Sequence, residues 1–192
     1  YKVPALQQAA KMQVEDKHYP QAAALYKTLS TVAIKSADIA SALGGYLSAV
    51  IATGNVAEMG RAADEVLASP YVTADLTREA NFAKARALQA DGHDDEALKL
   101  YRQVAGERTR EGAESRYRIV SILYKQGKLK EAEAEVFALA EQNSPYQYWT
   151  GIYVQQNDAF QAKATYQSIV DGYTDKTDGV VEEARRKMNE LK

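Results

Sequence analysis

The sequence predicts an all-α fold built from repeated helical hairpins, and three observations lead to this prediction. Apolar residues recur with the helical period along most of the 192 residues, and no segment shows the sustained alternation of a half-buried strand. Short polar turns, most of them containing glycine or proline, separate the helical segments into pairs. Five segments that follow such turns align with one another without gaps.

The composition is that of a folded protein and argues against several classes of function. Hydrophobic residues make up 46% and charged residues 26% of the chain. There are 24 Lys and Arg against 26 Asp and Glu, without a dense basic stripe, so we expect no nucleic-acid partner. No cysteine is present, which excludes disulfides and thiolate metal sites. No apolar run approaches the ~20 residues that span a bilayer, so we expect no direct membrane insertion.

The turns divide the chain into five hairpins within a single domain, 1–192. The turn segments are Lys17-His18-Tyr19-Pro20, Gly54-Asn55-Val56, Gly92-His93-Asp94, Gly127-Lys128-Leu129 and Asn157-Asp158-Ala159-Phe160. The predicted hairpins cover approximately 4–33, 36–69, 73–106, 111–143 and 145–172, and an amphipathic capping helix covers 178–191.

The second helix of each hairpin carries the same apolar pattern. Its first position is Ala22, Met59, Ala97, Ala132 or Ala162. Four residues later comes Tyr26, Ala63, Tyr101, Val136 or Tyr166, and three further on comes Leu29, Val66, Val104, Leu139 or Ile169. This i, i+4, i+7 spacing places the three positions on one helix face, and a small first residue lets a partner helix approach closely.

A helix-turn-helix period of about 34 residues with small residues at the crossing resembles the tetratricopeptide repeat (TPR). The resemblance covers nearly the whole chain. It implies a right-handed superhelical solenoid of about five TPR-like hairpins that works as a non-catalytic scaffold. The expected partner is a protein or peptide bound in the concave groove. The carboxylate clamp of TPR chaperone receptors is missing, since the comparable positions hold Gln7, Lys11 and Gly44.

The repeats are not uniform, because the intervals between their opening residues are 37, 38, 35 and 30. The first helix of the fifth hairpin is short, either through a real deletion or because residues are missing after Trp149. The stretches GKLKEAEAEVFALAEQNSPYQYW and IYVQQNDAFQAKATYQSIVDGY are also similar to the ends of large envelope-associated TPR proteins of Bacteroidetes bacteria. This resemblance implies a periplasmic or outer-membrane-associated location.

No group of residues predicts catalysis, and we expect no catalytic, cofactor or metal site. His18 and His93 each lie in a turn of a different hairpin. The acidic residues Asp94, Asp95 and Glu96 are interpreted as helix-start residues, which the helix dipole favours. No nucleophile elbow or phosphate loop is present. Gly44 and Gly45 are interpreted as sites of close helix packing.

In TPR folds the first helices line the concave groove, and carrying that face onto this sequence gives a candidate partner-binding set. Its aromatic rings and guanidinium are residue types that dominate binding hot spots. The alternative is that these residues serve packing between repeats and ordinary surface. The set is Lys11, Phe82, Arg86, Gln89, Tyr117, Ser121, Tyr124 and Lys125.

Two other functions remain open from the sequence. Because the chain begins with Tyr1 rather than Met, it is expected to be a processed or excised piece. It is therefore also compatible with a substrate-presenting or regulatory segment of a larger enzyme. Self-association through an exposed repeat face is the other alternative.

Overall fold

A computed structural model describes residues 2–140, 159–174 and 179–191 of the chain. These residues form ten α-helices and no strand, so the all-α prediction is confirmed for them. The helices are α1 (Lys2–Glu15), α2 (Tyr19–Val32), α3 (Ser36–Thr53), α4 (Val56–Leu67), α5 (Ala74–Ala90), α6 (Asp94–Val104), α7 (Arg110–Lys125), α8 (Leu129–Ala140), α9 (Ala159–Gly172) and α10 (Val180–Glu190). The predicted first helix of the fifth hairpin lies outside the described residues.

The chain divides into two compact units, Tyr1–Leu100 and Tyr101–Lys192. In the first unit each helix from α1 to α4 packs against the next one along the chain, and α3 also contacts α5. In the second unit α7 packs against α8, α8 against α9, and α9 against α10. Nearly all of this packing joins elements close in sequence, as expected of helical repeats.

The core of the first unit contains the predicted second-helix positions. Ala22, Met59 and Val66 are fully buried, and Leu29 is 3% exposed. Tyr26 is only partly buried and packs against the edge of this cluster. The opening residue of each pattern in this unit, Ala22 or Met59, is thus buried whether it is small or large.

The same pattern fills the core of the second unit. Tyr101 and Tyr166 are fully buried despite their size, and Ile169 on α9 is buried as well. Ala132 and Leu139 of α8 have no exposed surface, whereas Val136 is half-buried. On α10, Val181 and Ala184 face inward, which matches the amphipathic pattern of the tail.

In four hairpin turns, the residue at the equivalent position has a left-handed backbone conformation. In the turn between α5 and α6, the N–H of His93 donates to the carbonyl of Leu88 at 2.8 Å, and Gly92 N–H donates to Gln89 at 3.1 Å. This pair of bonds is the Schellman motif, which satisfies the last carbonyls of a helix. The turns after α1 and α7 repeat both bonds. The left-handed residues are Lys17, Gly54, Gly92 and Gly127, with φ of 59°, 74°, 82° and 72°.

Helix starts are capped by side chains. The hydroxyl of Thr73 accepts a hydrogen bond from the N–H of Leu76 at 3.2 Å and so caps α5. Asn55 caps α4 and Thr109 caps α7 through the same three-residue spacing. Asp94, Asp95 and Glu96 occupy the first turn of α6, as predicted, where the helix dipole favours negative charge.

Candidate functional site

The candidate partner-binding residues are distributed over three helices. Lys11 lies on α1 and is exposed. Phe82, Arg86 and Gln89 lie on α5, and the remaining four, Tyr117, Ser121, Tyr124 and Lys125, lie on α7. Helices α1 and α5 belong to the first unit and α7 to the second.

On α5, a guanidinium lies over an aromatic ring. Arg86 places its guanidinium carbon 5.8 Å from the centre of the Phe82 ring, one helical turn away. Phe82 is only 2% exposed, while Arg86 and Gln89 are half-buried. The ring therefore contacts the Arg86 guanidinium, but almost none of its own surface is exposed to a partner. Cation–π contact of this kind restricts an arginine without neutralising it.

On α7, the candidate residues differ in how much surface they present. Tyr124 is 9% exposed and counts among the buried side chains. Tyr117 and Ser121 are half-buried, and Lys125 is exposed. The accessible part of this surface is therefore Tyr117, Ser121 and Lys125, and Tyr124 contributes to the interior instead.

A set of charged groups that the sequence pattern did not single out surrounds Tyr117. Arg118 lies 5.5 Å from the centre of the Tyr117 ring, and it donates to the buried carboxylate of Glu114 at 3.1 Å. Arg116 donates to Glu135 of α8 at 2.8 Å, and both side chains are largely covered. The i, i+4 spacing of Glu114 and Arg118 is a signal available in the sequence. The Arg116 pair has no such signal because it depends on how α7 and α8 pack.

A cleft in the first unit was also missed by sequence analysis. Helices α2, α3 and α4 line it, and its volume is about 320 Å³. At one end, Lys27 of α2 donates to both carboxylate oxygens of Glu65 on α4, at 2.9 and 2.7 Å. The same ammonium lies 5.3 Å from the centre of the Tyr46 ring on α3. The hydrogen bond to Glu65 raises the pKa of Lys27, and burial raises the pKa of Tyr46.

The described residues contain neither a cluster of metal-ligating side chains nor a helix suited to spanning a membrane. Within residues 2–140, 159–174 and 179–191, no three His, Asp or Glu side chains come together in a way that could hold a metal ion. No helix in that part of the chain combines the length and apolar character needed to cross a bilayer.

These helices define a class of fold, the TPR-like helical repeat of the α-solenoid type, and comparison with solved structures supports this assignment. A protein from Podosopora anserina assigned as a kinesin light chain, with nearly identical TPR-like repeats, is similar in two crystal structures. One has a TM-score of 0.57 and 14% identity over 98% of this chain and 95% of the other. The second has a TM-score of 0.54 and 14% identity over 100% and 98%.

A third similar structure is BtubC (BKLC) from P. vanneervenii, with a TM-score of 0.52 and 12% identity over 98% of this chain and 89% of the other. No family model matches the sequence, and no curated protein matches it either. At these identities the likeness shows the fold alone. The predicted fold class is thereby confirmed.

Proposed function

We propose that this chain is a non-catalytic protein-interaction scaffold, and that α5 of the first unit and α7 of the second each present a partner-binding surface of their own. The observation that carries the proposal is Arg86, a half-buried guanidinium supported by the buried Phe82 ring. Arginine and tyrosine are the residues on which binding energy at protein interfaces concentrates. TPR-like repeats without assembled catalytic side chains suit such a role.

The geometry of Arg86 makes it suitable for binding a carboxylate. A guanidinium has five N–H donors in one plane, an arrangement that matches the two oxygens of a carboxylate. Because the Phe82 ring restricts the side chain, less conformational entropy is lost when a partner binds. Gln89, one turn further along α5, adds an amide that can donate or accept.

The surface of α7 presents aromatic and hydroxyl groups. Tyr117 is held on one side by Arg118 at 5.5 Å, and Ser121 lies one turn later on the same helix face. Lys125 extends the row at the end of α7. Together these side chains favour a partner that is polar and acidic rather than strongly apolar.

The proposed setting is a multi-protein assembly of a bacterial cell envelope. The support for it is the sequence similarity of the last two hairpin segments to envelope-associated TPR proteins. Cell fractionation of the native bacterium, with an antibody against this chain, tests the setting. Recovery of the chain in the cytoplasmic fraction alone would contradict it.

Site-specific photo-crosslinking tests the proposed surface. A photoreactive phenylalanine analogue replaces Gln89 on α5 or Ser121 on α7, and matched controls place it at the exposed positions Lys99 on α6 and Lys130 on α8. We expect a partner adduct from each test position and none from the controls. Adding Arg86→Glu should reduce the adduct at Gln89 about tenfold, as expected for loss of a charged hydrogen bond.

Equal adducts from test and control positions would contradict the proposed surface. So would an adduct that Arg86→Glu leaves unchanged. Circular dichroism of each variant verifies that its helices are intact. Tyr124 and Phe82 are unsuitable test positions because both are buried, and their truncation would disturb the fold.

A further inference from the structure

The cleft of the first unit has a second feature besides its Lys27–Glu65 ion pair, an arginine that forms no ion pair with the carboxylates near it among the described residues. Arg61 of α4 lines the cleft and is exposed. In the part of the chain that the structure describes, its guanidinium makes no hydrogen bond or ion pair, unlike the ammonium of Lys27. This difference between two cations of one cleft requires a local explanation.

The explanation lies in the side chains of α2 and α4 that line the cleft. Glu65 and Arg61 are one helical turn apart on α4, and Lys27 and Ala23 are one turn apart on α2. The helical turn of α2 that contains Lys27 therefore lies next to the Glu65 carboxylate. The preceding helical turn lines the cleft only with Ala23 and Ala24. Neither methyl group can accept a hydrogen bond. The small side chains also leave the space that forms the cleft.

The floor of this space is apolar. Ala23 is 8% exposed and Val50 of α3 is 4% exposed, and both line the cleft. Pro20 borders it near the start of α2. An arginine in a cleft with apolar side chains can donate to a carboxylate while an aliphatic part of the same ligand contacts those side chains. The volume of about 320 Å³ is at the lower end of the range for ligand sites.

The remaining charged side chain, Glu58, restricts the kind of ligand. It lies one turn before Arg61 on α4 and also lines the cleft, and its carboxylate has no ion-pair partner among the described residues. A multiply charged anion such as phosphate would be repelled by Glu58 and Glu65 on either side. A ligand with a single carboxylate followed by a backbone N–H suits Arg61 and Glu58, because the Arg61 guanidinium donates to the carboxylate and the Glu58 carboxylate accepts from the N–H.

We propose that this cleft binds a short peptide segment in which an acidic side chain is followed by an aliphatic one. The acidic side chain binds Arg61, the aliphatic one contacts Ala23, Ala24 and Val50, and a peptide N–H donates to Glu58. The Lys27–Glu65 pair lines the same cleft, and the volume of about 320 Å³ limits the segment to a few residues. This site lies on α2, α3 and α4 and is independent of the surface proposed on α5 and α7.

The test is a ¹⁵N-HSQC titration of the chain with N-acetyl-Glu-Leu-amide. We expect chemical-shift changes at the backbone amides of Thr53, Glu58 and Arg61, which border the cleft. Arg61→Gln should weaken binding about tenfold, since a charge-assisted hydrogen bond is lost. Lys84→Gln is the control, because Lys84 is a half-buried cation on α5 that donates to Asp64 at 2.6 Å and does not line the cleft, and it should leave binding unchanged.

Two further probes identify which part of the ligand is recognised. N-acetyl-Gln-Leu-amide replaces the carboxylate by a neutral group of the same shape, and we expect it to bind about tenfold more weakly. Glutarate supplies a carboxylate without the peptide and should also bind more weakly. The proposal is overturned if neither peptide shifts these amides at millimolar concentration, if both peptides bind equally, or if glutarate binds as well as the peptide.

Discussion

The ring of Tyr26 lies against the backbone of Gly45, so closely that a Cβ on Gly45 would be 2.6 Å from two ring carbons. Helices α2 and α3 can pack at this distance only because Gly45 has no side chain. The neighbouring Gly44 is different, since a Cβ there would be 3.9 Å from the nearest atom, Cδ1 of Leu76. The packing of the helices therefore requires glycine at position 45 but has room for a Cβ at position 44.

We expect Gly45→Ala to destabilise the protein and Gly44→Ala to stabilise it. Alanine improves helix propensity by about 1 kcal/mol at either position. At Gly45 this gain is outweighed by overpacking against Tyr26, which typically costs about 1–3 kcal/mol. Urea denaturation followed by circular dichroism measures both changes. If both substitutions shift the midpoint in the same direction, the Tyr26 contact does not determine the packing of α2 on α3.

A left-handed residue that is not glycine gives a second prediction. Lys17 has φ of 59° at the position where three other turns have glycine. A non-glycine residue in this region costs on the order of 1 kcal/mol. We expect Lys17→Gly to raise the free energy of unfolding by about 0.5–1 kcal/mol, because glycine adopts this conformation without strain.

The reciprocal substitution provides the control for the turns. Gly54→Lys introduces at the second turn the residue that the first turn already has, and nothing lies within 4 Å of a Cβ at Gly54. The expected loss is therefore conformational alone, about 1 kcal/mol. Thermal unfolding should show Lys17→Gly above and Gly54→Lys below the wild type. An unchanged melting temperature for both would contradict the assignment of strain to φ.

A buried hydroxyl on α7 leads to a third prediction. Ser115 has no exposed surface, and its Oγ has no hydrogen-bond partner among the residues that the structure describes. A buried polar group without a partner costs about 1–3 kcal/mol, so Ser115→Ala should stabilise the protein by roughly 1–2 kcal/mol. The half-buried Ser121 of the same helix is the control, where Ser121→Ala should gain only the propensity difference, about 0.5 kcal/mol. Chemical denaturation distinguishes the two.

The Lys27–Glu65 ion pair of the cleft predicts a loss of stability at alkaline pH. The pKa of Lys27 is raised above its ordinary 10.5 by its hydrogen bond with Glu65, and that of Tyr46 is raised above 10.0 by burial. A pKa raised on folding stabilises the protein below the unfolded-state pKa, and this contribution is lost as pH rises through the folded-state value. The expected loss begins near pH 10.

The double variant Lys27→Met, Tyr46→Phe measures this loss, because it removes both titrating groups. Its stability should fall less steeply than that of the wild type above pH 10. Near neutral pH, a double-mutant cycle on Lys27 and Glu65 should give a coupling below about 1 kcal/mol, since both side chains are half exposed. A larger coupling that persists in high salt would show that solvent screens the pair less than its exposure suggests.

The core of the second helices could be predicted because it depends on local spacing alone. Tyr101 and Tyr166 repeat at one position and are both fully buried, as predicted. Tyr26 occupies the same position but is only partly buried. Its ring packs against the bare backbone of Gly45, a contact with the next hairpin that spacing within one helix does not specify.

The surfaces of the first helices were less predictable. Phe82 was assigned to the groove, yet it is buried together with its neighbours Ala83 and Ala85. Helix α5 buries side chains over a wide part of its circumference, because α4 and α3 both pack against it. The sequence pattern of a helix covered on two sides does not show a single apolar face. Whether Arg86 and its neighbours bind a partner stays a prediction. The ion pair of Lys27 with Glu65 joins residues 38 apart and follows only from the packing register.

The Schellman turns have a consequence for how the chain folds during synthesis. Each turn satisfies its carbonyls with N–H groups at most five residues away, so a hairpin reverses without help from any later segment. Helices α1 and α2 can therefore pair while the ribosome is still adding α3, and the contacts of each unit join neighbouring elements. Local contacts favour fast folding, and domains form from the N-terminus as it emerges. The first unit is thus expected to reach its native packing before translation of the second is complete.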